Sequence, residues 1–583
     1  MELSKSLKVD MTDCTDPCFI HLLSAVADDV PSLLHWGMFI PSLKTLLSDA
    51  QKAEWMGKCY DCTVVGCYAQ TELGHGSNVR GLETEARFDA SGPSWVLNTP
   101  TLTSTKFWPG SLGKTANTAM VIARLIDGSG VDRGVHNFIV PIRDYATHEP
   151  LPGVTVGDIG SKLGYNNMDN GYLKLRNVRV PLSNMAMRFV SVDGRGRYKK
   201  NTANASEASE KISYLTMMQV RAQIVGMASQ ALAMATTIAV RYSAVRLQGF
   251  DSSGKRERQI LDYVQQQHRL FGHLASSYCF FFSGKSILKR LKDTERKIVS
   301  GGGASSGAAG TTKIFMGDLH ASISALKAYS SSVAADGIED CRKACGGHGY
   351  LVASGFPELL TTYLQNPTVE GDNYMLPQQV CKILLKLLKS VREDEDQGKG
   401  FAERSWSGTD CFYLVAVTRR LLGGSFGEMK RRTVRSLHDL QSLFELRAGK
   451  LLVDLGEKIF GHISEGMSME DAWNDSLIQI ARVSRAHVMV VLLKNFTDGL
   501  REFGSRERGV MRDLALLFGF MELERNTSDF IGFASQAEID KSRNFVIELL
   551  KRIRPNAVLL GKLRKSAAAT YAIHNKKYIL SDH

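Results

Sequence analysis

Long hydrophobic runs are absent from this 583-residue sequence. A membrane-spanning helix needs roughly 20 consecutive apolar residues, and no uninterrupted run approaches that length. The most apolar helical segment, residues 477–496, contains Arg482, Arg485 and His487, so we predict that it is a buried helix of a bundle. The N-terminus also lacks the apolar stretch of a secretion signal. The sequence therefore predicts no membrane span.

Cysteine is also scarce for a chain of this length. Ten cysteines are too few for the disulfide framework of a small secreted protein. Cys59 and Cys62 have the spacing of zinc ligands, with Cys67 close by, but no second Cys-x-x-Cys or histidine pair completes a set of four. We therefore predict no metal site and a reducing compartment.

Acidic residues are outnumbered by basic ones, which gives a formal charge of +12 and favours an anionic partner. The basic residues are scattered, as in 289–297 and 430–435, without interleaved aromatic residues or a nucleic-acid-binding motif. Most of them are explained as solvated helix faces. We predict no nucleic-acid partner.

The two common nucleotide-binding motifs are missing. Gly110-Ser-Leu-Gly-Lys-Thr115 resembles a phosphate-binding loop, but Trp108 stands where the first glycine of that pattern belongs. No Gly-x-Gly-x-x-Gly motif follows a predicted strand and opens a helix, which argues against a Rossmann cofactor site.

What is present is an ordered change of periodicity along a chain long enough for three or four domains. Helical spacing of apolar residues covers the first 70 residues, and short runs of strand character follow at 82–88, 95–97, 120–125, 138–142 and 172–180. Long helices are predicted at 215–246, 258–297, 319–345 and 374–392, with linkers at 300–310 and 393–400. A second helical region fills 405–572.

One pair of segments points to chemistry. Cys345-Gly-Gly-His-Gly-Tyr350 is a glycine-rich helix end at which backbone can approach a bulky ligand. Glu370-Gly-Asp-Asn373 places a lone carboxylate before the next helix, which suits a general base that removes a proton next to a carbonyl. The alternative is a glycine turn followed by a helix-capping acid.

A longer set of motifs resembles one family. Tyr68-Ala-Gln-Thr-Glu-Leu-Gly-His-Gly-Ser-Asn78 is similar to the flavin-loop signature of the acyl-CoA oxidases. Thr105-Lys-Phe-Trp-Pro-Gly110, Gly164-Tyr-Asn-Asn-Met-Asp-Asn-Gly171 and the 345–373 region resemble that family in the same order. The resemblance runs from about residue 34 to about residue 560, so we identify the chain as an acyl-CoA oxidase-like flavoprotein.

The resemblance implies an α+β multidomain fold of the acyl-CoA dehydrogenase and oxidase type. It has a helical N-terminal part, a central antiparallel β-barrel-like domain and two C-terminal helical bundle domains. We place a shortened N-terminal helical domain at 1–70, the β domain at 71–190, the bundle with the catalytic glutamate at 191–395 and the last helical domain at 405–583. FAD is expected between the β domain and the bundle.

The same resemblance implies the site residues. Glu370 matches the catalytic base, which removes the α-proton of an acyl-CoA while the β-hydride passes to the flavin. Asp372 is interpreted as a structural carboxylate that also influences Glu370. The positions that match cofactor-binding residues are Thr71, Gly110, Arg246, Gln267, Gly346 and Gly347. The arginine motif is broken, because Gly249-Phe250 inverts the usual order. His75 and His348 remain alternative bases, with hydrogen-bonding spacers in glycine loops as the simpler explanation.

The function implied is oxidation of fatty acyl-CoA to trans-2-enoyl-CoA with O2 reduced to H2O2, in a peroxisomal homodimer. Two alternatives stay open: an acyl-CoA dehydrogenase that passes electrons to a flavoprotein, and a non-catalytic acyl-CoA-binding homologue. The N-terminal domain is shorter than is usual in the family, the tail 562–583 diverges, and Ser581-Asp-His583 is not a Ser-Lys-Leu import signal.

Overall fold

The computed structural model describes residues 31–201, 207–299, 306–396, 406–422, 434–531 and 533–563. Clustering of contacts divides the chain into two compact units, 1–220 and 221–583. Each unit is described by itself below. The four domain boundaries expected from the sequence stay predictions.

The first unit begins with helices and continues as a β-rich region. A π-helical turn at His35–Phe39 leads into α1 (Ile40–Leu46), and α2 (Asp49–Tyr60) follows with a capping box at Ser48. The strands of this unit are β1 (Gly66–Ala69), β2 (Glu85–Asp89), β3 (Ser94–Asn98), β4 (Lys106–Phe107), β5 (Thr118–Ile126), β6 (Asp132–Pro141), β7 (Val154–Asp158), β8 (Gly171–Leu175), β9 (Val178–Pro181), β10 (Val190–Val192) and β11 (Tyr198–Lys200). The expected single strand at 172–180 is two strands, because Asn177 turns the chain between them with a φ of +51°.

The main sheet has six strands in the order β1-β5-β2-β3-β9, with β6 on the other edge of β5. The prediction of a purely antiparallel domain was wrong in one respect: β5 pairs in parallel with both β1 and β2. β5 has nine residues, which is long enough for β1 to pair along its first half and β2 along its second. A second sheet has three antiparallel strands in the order β4-β8-β7. Trp95 and Phe138 pack edge to face at 5.5 Å in the buried core.

The second unit is built from helices, with one short hairpin of β12 (Leu247–Phe250) and β13 (Glu257–Gln259). Its helices are α3 (Glu207–Val245, which starts in the first unit), α4 (Val264–Val299), α5 (Ser306–Ala344), α6 (Phe356–Tyr363), α7 (Leu376–Asp396), α8 (Tyr413–Leu422), α9 (Leu437–Ser464), α10 (Met469–Asn474), α11 (Leu477–Gly499), α12 (Ser505–Arg525), α13 (Gln536–Ile553) and α14 (Ala557–Leu563). The sequence of helices, β-rich region and further helices confirms the predicted fold class.

Three predicted boundaries in this unit were wrong. Residues 258–262 form the end of the hairpin and a 3-10 turn, and the helix begins only at Val264. The predicted linker at 300–310 is helical from Ser306 onward, and the predicted linker at 393–400 is helical to Asp396. Alanine and glutamate favour helix, so a helix that has already formed continues into a segment whose composition resembles that of a linker. Residues 300–305, 397–400 and 564–572 lie outside the described residues.

One described helix, Met218–Val245, is long and apolar enough to cross a membrane by length and composition. The search for uninterrupted apolar runs missed it because polar residues interrupt the run. Two thirds of its most apolar window, 67%, is buried inside the protein, as in a core helix. α11, predicted to be buried, has buried residues around its whole circumference.

Candidate active site

Glu370 lies in the connection between α6 and α7, at a point where the backbone is forced into the left-handed region. Its φ is +56° and that of Gly371 is +103°. Left-handed backbone is costly for a residue with a side chain. Arg221 stabilises the turn, because its Nε donates to the carbonyl oxygen of Glu370 at 2.9 Å. A Cβ on residue 371 would lie 2.9 Å from Leu376 Cδ2, so packing as well as φ requires glycine there.

The carboxylate of Glu370 is left available by this arrangement. The residue is half-buried, and none of the described residues forms a hydrogen bond or ion pair with its carboxylate. Burial raises the pKa of Glu370, although the positive charges of Arg221 and Lys327 act in the opposite direction. Its backbone N–H likewise donates to no acceptor in the described part of the chain. Both groups therefore keep hydrogen-bonding capacity that the described residues do not use.

Buried polar side chains surround the turn. Lys327 on α5 is fully buried and donates to the carbonyl oxygen of Gly371 at 2.7 Å and to Asn373 Oδ1 at 2.9 Å. Arg221 Nη1 lies 3.4 Å from His320 Nε2. Burial lowers the pKa of His320 to about 4, with the charge of Arg221 acting in the same direction. The imidazole is therefore neutral at pH 7.

Asp372 has a structural contact. Its Oδ1 accepts a hydrogen bond from the backbone N–H of Tyr374 at 2.8 Å, and its carbonyl oxygen accepts from Leu376 at 2.9 Å. These bonds satisfy free N–H groups at the start of α7. The Asp372 carboxylate therefore holds the turn just before α7, a structural contact of the kind that the sequence analysis expected of it.

The glycine turn after α5 is joined to the end of α3. His348 Nδ1 and the Tyr242 hydroxyl are 3.1 Å apart, and Arg246 follows one helical turn after Tyr242. Gly346 has a φ of +60°, and neither Gly346 nor Gly347 has a neighbouring atom within 4 Å of an added Cβ. The structure therefore brings the arginine motif and the open glycine turn together.

Sequence reasoning missed the most constrained glycine of that turn, Gly349. A Cβ there would lie 2.1 Å from the carbonyl oxygen of Arg342, so any side chain would displace the helix end. The three glycines of the motif were visible in the sequence. The sequence did not show which of the three positions is crowded by neighbouring atoms.

The two remaining cofactor candidates of this unit differ in exposure. The Arg246 side chain is exposed, and its guanidinium has no ion-pair partner among the described residues. Gln267 is buried: its Nε2 donates to the carbonyl oxygen of Leu261 at 3.0 Å, while its Oε1 has no hydrogen-bond partner there. An unsatisfied buried oxygen is costly unless a ligand group donates to it.

In the first unit, the two flavin-loop candidates lie on loops that β-strand pairing holds together. The carbonyl oxygen of Thr71 accepts from the backbone N–H of Phe107 at 3.0 Å. Gly110 is buried, and an added Cβ would lie 2.6 Å from Leu34 Cδ1 and 2.8 Å from Met168 Sδ. A side chain at residue 110 would therefore displace the side chains of Leu34 and Met168.

A buried ion pair holds these loops, and the sequence did not reveal it. Lys106 Nζ lies 3.0 Å from Glu72 Oε1, and both side chains are fully buried. Lys106 also donates to the carbonyl oxygens of Gln70 and Ile122 at 3.0 and 2.7 Å. Glu72 accepts from the backbone N–H groups of Glu83 and Thr84. Both charged residues stand inside the two quoted motifs, which was the only available signal.

The segment that resembles a phosphate loop is filled by a carboxylate. Asp169 Oδ2 accepts from the backbone N–H groups of Lys114 and Thr115 at 2.6 and 2.7 Å. These are the donors that would contact a phosphate in a true phosphate loop. The structure therefore gives these residues an internal partner.

The alternative bases have other neighbours. His348 pairs with Tyr242, and His75 Nδ1 lies 3.6 Å from Glu72 Oε2. Within the described residues, no cluster of three or more histidine, cysteine or acidic residues has the geometry to hold a metal ion.

Comparison with known families gives matches along most of the chain. The matching family models are acyl-coenzyme A oxidase N-terminal (residues 1–65), acyl-CoA dehydrogenase middle domain (67–178), acyl-CoA oxidase C-alpha1 domain (214–385) and acyl-CoA oxidase (436–561). Glu370 and the glycine turn lie inside the third segment.

Individual relatives agree. Peroxisomal acyl-coenzyme A oxidase 1 of Rattus norvegicus is 39% identical over 91% of this chain and 77% of its own length. Among solved structures, acyl-CoA oxidase-2 of Caenorhabditis elegans, bound with FAD, ascaroside-CoA and ATP, has a TM-score of 0.86 and 35% identity, over 97% of this chain and 80% of that one. Acyl-CoA oxidase 1 of Arabidopsis thaliana has a TM-score of 0.85 and 33% identity, over 98% and 83%. The family suggested by the sequence is confirmed: this chain belongs to the acyl-CoA oxidases.

Proposed function

We propose that this chain oxidises fatty acyl-CoA to trans-2-enoyl-CoA, with FAD as cofactor and O2 reduced to H2O2, as the first step of peroxisomal β-oxidation. The observation that carries the proposal is the Glu370 carboxylate, half-buried on a left-handed turn and without a partner among the described residues. Membership of the acyl-CoA oxidases and the CoA ester bound in the related C. elegans enzyme support this substrate class.

Glu370 would act as the base that removes the α-proton of the substrate. Burial raises the basicity of its carboxylate, whereas Arg221 and Lys327 favour the ionised form that a base requires. The unpaired N–H of Glu370 is a donor for the thioester oxygen, on which negative charge grows as the proton leaves. One residue therefore offers both the proton acceptor and a hydrogen bond to the developing enolate.

The residues of the second unit fit FAD. The Arg246 guanidinium is exposed and could bind a pyrophosphate. The Gly346-Gly347 turn has open space around both residues. The buried Gln267 Oε1 has no hydrogen-bond partner among the described residues and could accept a hydrogen bond from the cofactor. We assign Thr71 and Gly110 to the same cofactor from the first unit. Bound FAD would supply the hydride acceptor, and its reoxidation by O2 would release the peroxide.

Peroxide measurement tests the function. Purified protein supplied with FAD and palmitoyl-CoA should release H2O2 in air, in a ratio of about one to the enoyl-CoA formed. Turnover that requires an artificial electron acceptor and yields no peroxide would favour the dehydrogenase. Binding of palmitoyl-CoA without turnover under either condition would favour the non-catalytic homologue.

Replacement of Arg246 tests the cofactor assignment and the proposed homodimer. Arg246→Ala should lower FAD occupancy and weaken dimerisation together, since a ligand bound to the assembled state stabilises that state. Arg246→Lys should rescue poorly, because lysine lacks the bidentate geometry of arginine. Flavin absorbance and sedimentation are measured on the same sample.

Arg501→Ala is the matched control, since its side chain is 84% exposed and lies in the 3-10 turn after α11. A flavin-saturated monomer of the wild-type protein would contradict the proposed homodimer. By family resemblance we also propose a peroxisomal location, which the peroxisomal relatives support.

A further inference from the structure

Lys327 is a buried cation that the proposed reaction has not yet used. It lies on α5 with none of its surface exposed, and a charge is rarely buried unless its hydrogen bonds are satisfied. Its ammonium group donates to Gly371 O at 2.7 Å, Asn373 Oδ1 at 2.9 Å and Pro367 O at 3.4 Å. All three acceptors belong to the turn that carries Glu370.

The acceptors lie on both sides of Glu370 in sequence. Pro367 precedes it by three residues, and Gly371 and Asn373 follow it by one and three. Asn373 is itself held by α5, because its Nδ2 donates to Ser331 Oγ at 2.9 Å and Ser332 Oγ at 2.8 Å. A single ammonium therefore ties the start and the end of the turn to one helix.

The turn needs such restraint because two successive residues, Glu370 and Gly371, have a positive φ, which is costly at Glu370. From α3, Arg221 donates to the carbonyl oxygen of Glu370. Without Lys327, the carbonyl oxygen of Gly371 and the amide oxygen of Asn373 would lose their donor. Relaxation of the turn would then move the carboxylate away from a substrate α-carbon.

Lys327 is also one of few charges that face Glu370. Among the described residues the other is Arg221 from α3. Asp372 from the turn itself acts on Lys327, and His320 from α5, which lies beside Arg221, is neutral at pH 7. Burial lowers the pKa of Lys327 to about 8, with Arg221 acting in the same direction and Glu370 and Asp372 opposing it. Lys327 is therefore mostly protonated at pH 7.

We propose that Lys327 is a positioning residue for the catalytic base: its ammonium group fixes the Glu370 turn by binding Gly371 and Asn373, and its charge favours the ionised carboxylate. This inference rests on the proposed role of Glu370. Lys327 makes no contact with the reacting atoms and acts only through Glu370.

The test is Lys327→Met, which keeps much of the side chain's length and removes both the charge and the hydrogen bonds. Its rate of flavin bleaching by saturating palmitoyl-CoA without oxygen should fall on the order of 10²-fold, the size expected of a displaced catalytic group. KM should change far less. The pH below which activity is lost should rise by about one unit or more, because the base loses a nearby positive charge.

The direction of the pH shift distinguishes a positioning role of Lys327 from general damage to the fold. A base is active when ionised, so loss of Lys327 moves the acid limb of the rate profile to higher pH. Lys327→Arg keeps the charge and should keep the limb near its wild-type position. Arg447→Met removes another buried cation, one paired with Asp529, and should destabilise the protein without moving the limb.

Two results would overturn the proposal: an unchanged bleaching rate in Lys327→Met, or an acid limb that Arg447→Met shifts equally. If Lys327→Met does not fold, Asn373→Ala decides, because it removes one acceptor and retains the ammonium. It should slow bleaching and leave the limb in place, and a wild-type rate would overturn the positioning role. Full turnover of Glu370→Gln would instead refute the role of Glu370 as the base, and wild-type protein that releases no peroxide from palmitoyl-CoA would refute the proposed function itself.

Discussion

Glu370→Gln should retain its yellow bound flavin and lose oxidase turnover by about 10²–10⁴-fold, the contribution usual for a general base. Glutamine keeps the shape of the side chain. The bond from Arg221 goes to the backbone carbonyl oxygen, 2.9 Å away, so the substitution leaves the turn in place. Only proton abstraction is removed. Steady-state peroxide release and anaerobic flavin bleaching measure the loss.

A matched control is Glu358→Gln. Glu358 is an exposed acid in the first turn of α6, so the same chemical change there should leave turnover at the wild-type level. Near-normal turnover of Glu370→Gln would end the assignment of Glu370 as the base. His75 and His348 would then be tested in the same way.

Lys106→Met should lower the free energy of unfolding by about 3–5 kcal/mol, the cost of leaving one member of a buried ion pair without its partner. Glu72 would remain fully buried and lose the donor that lies 3.0 Å from its Oε1. Although burial raises it, the charge of Lys106 and bonds from Glu83 and Thr84 hold the pKa of Glu72 below its usual value. Urea unfolding followed by far-UV circular dichroism provides the measurement.

Two further variants serve as comparisons for Lys106→Met. Lys285→Met breaks an exposed pair with Glu502 and should cost no more than about 1 kcal/mol. Glu72→Gln combined with Lys106→Met should recover part of the loss, because no uncompensated charge stays buried. A loss in Lys106→Met no larger than that in Lys285→Met would contradict the role of the pair. Flavin occupancy of the same samples shows whether the loops around Thr71 depend on it.

The sequence was sufficient for the family, the fold class and the position of the candidate base. The order of the motifs identified the family. The change from alternating to helical spacing of apolar residues predicted the order of the β-rich and helical regions. Glu370 was recognised because its motif is local: one glutamate, a glycine and the start of a helix. Strand segments were found where they are short and bounded by turns, as for β2 and β3.

Local patterns do not encode pairing. The sequence predicted an antiparallel β domain because a strand's alternation is the same in either direction, and only the tertiary structure shows that β5 pairs in parallel with β1 and β2 along one edge. Likewise, residues 258–262 have helical composition, but the hairpin bond from Ile260 N–H to the carbonyl oxygen of Arg246 holds them apart from the helix.

Only the tertiary structure shows which basic residues bind the turn that contains Glu370. Arg221 lies 149 positions before Glu370, and Lys327 lies 44 before Gly371. In the sequence these are two of 72 basic residues, with nothing to distinguish them from solvated helix charges. Burial distinguishes them, because a cation withdrawn from water must find acceptors within the fold, and here acceptors for both cations lie on the turn that holds the candidate base.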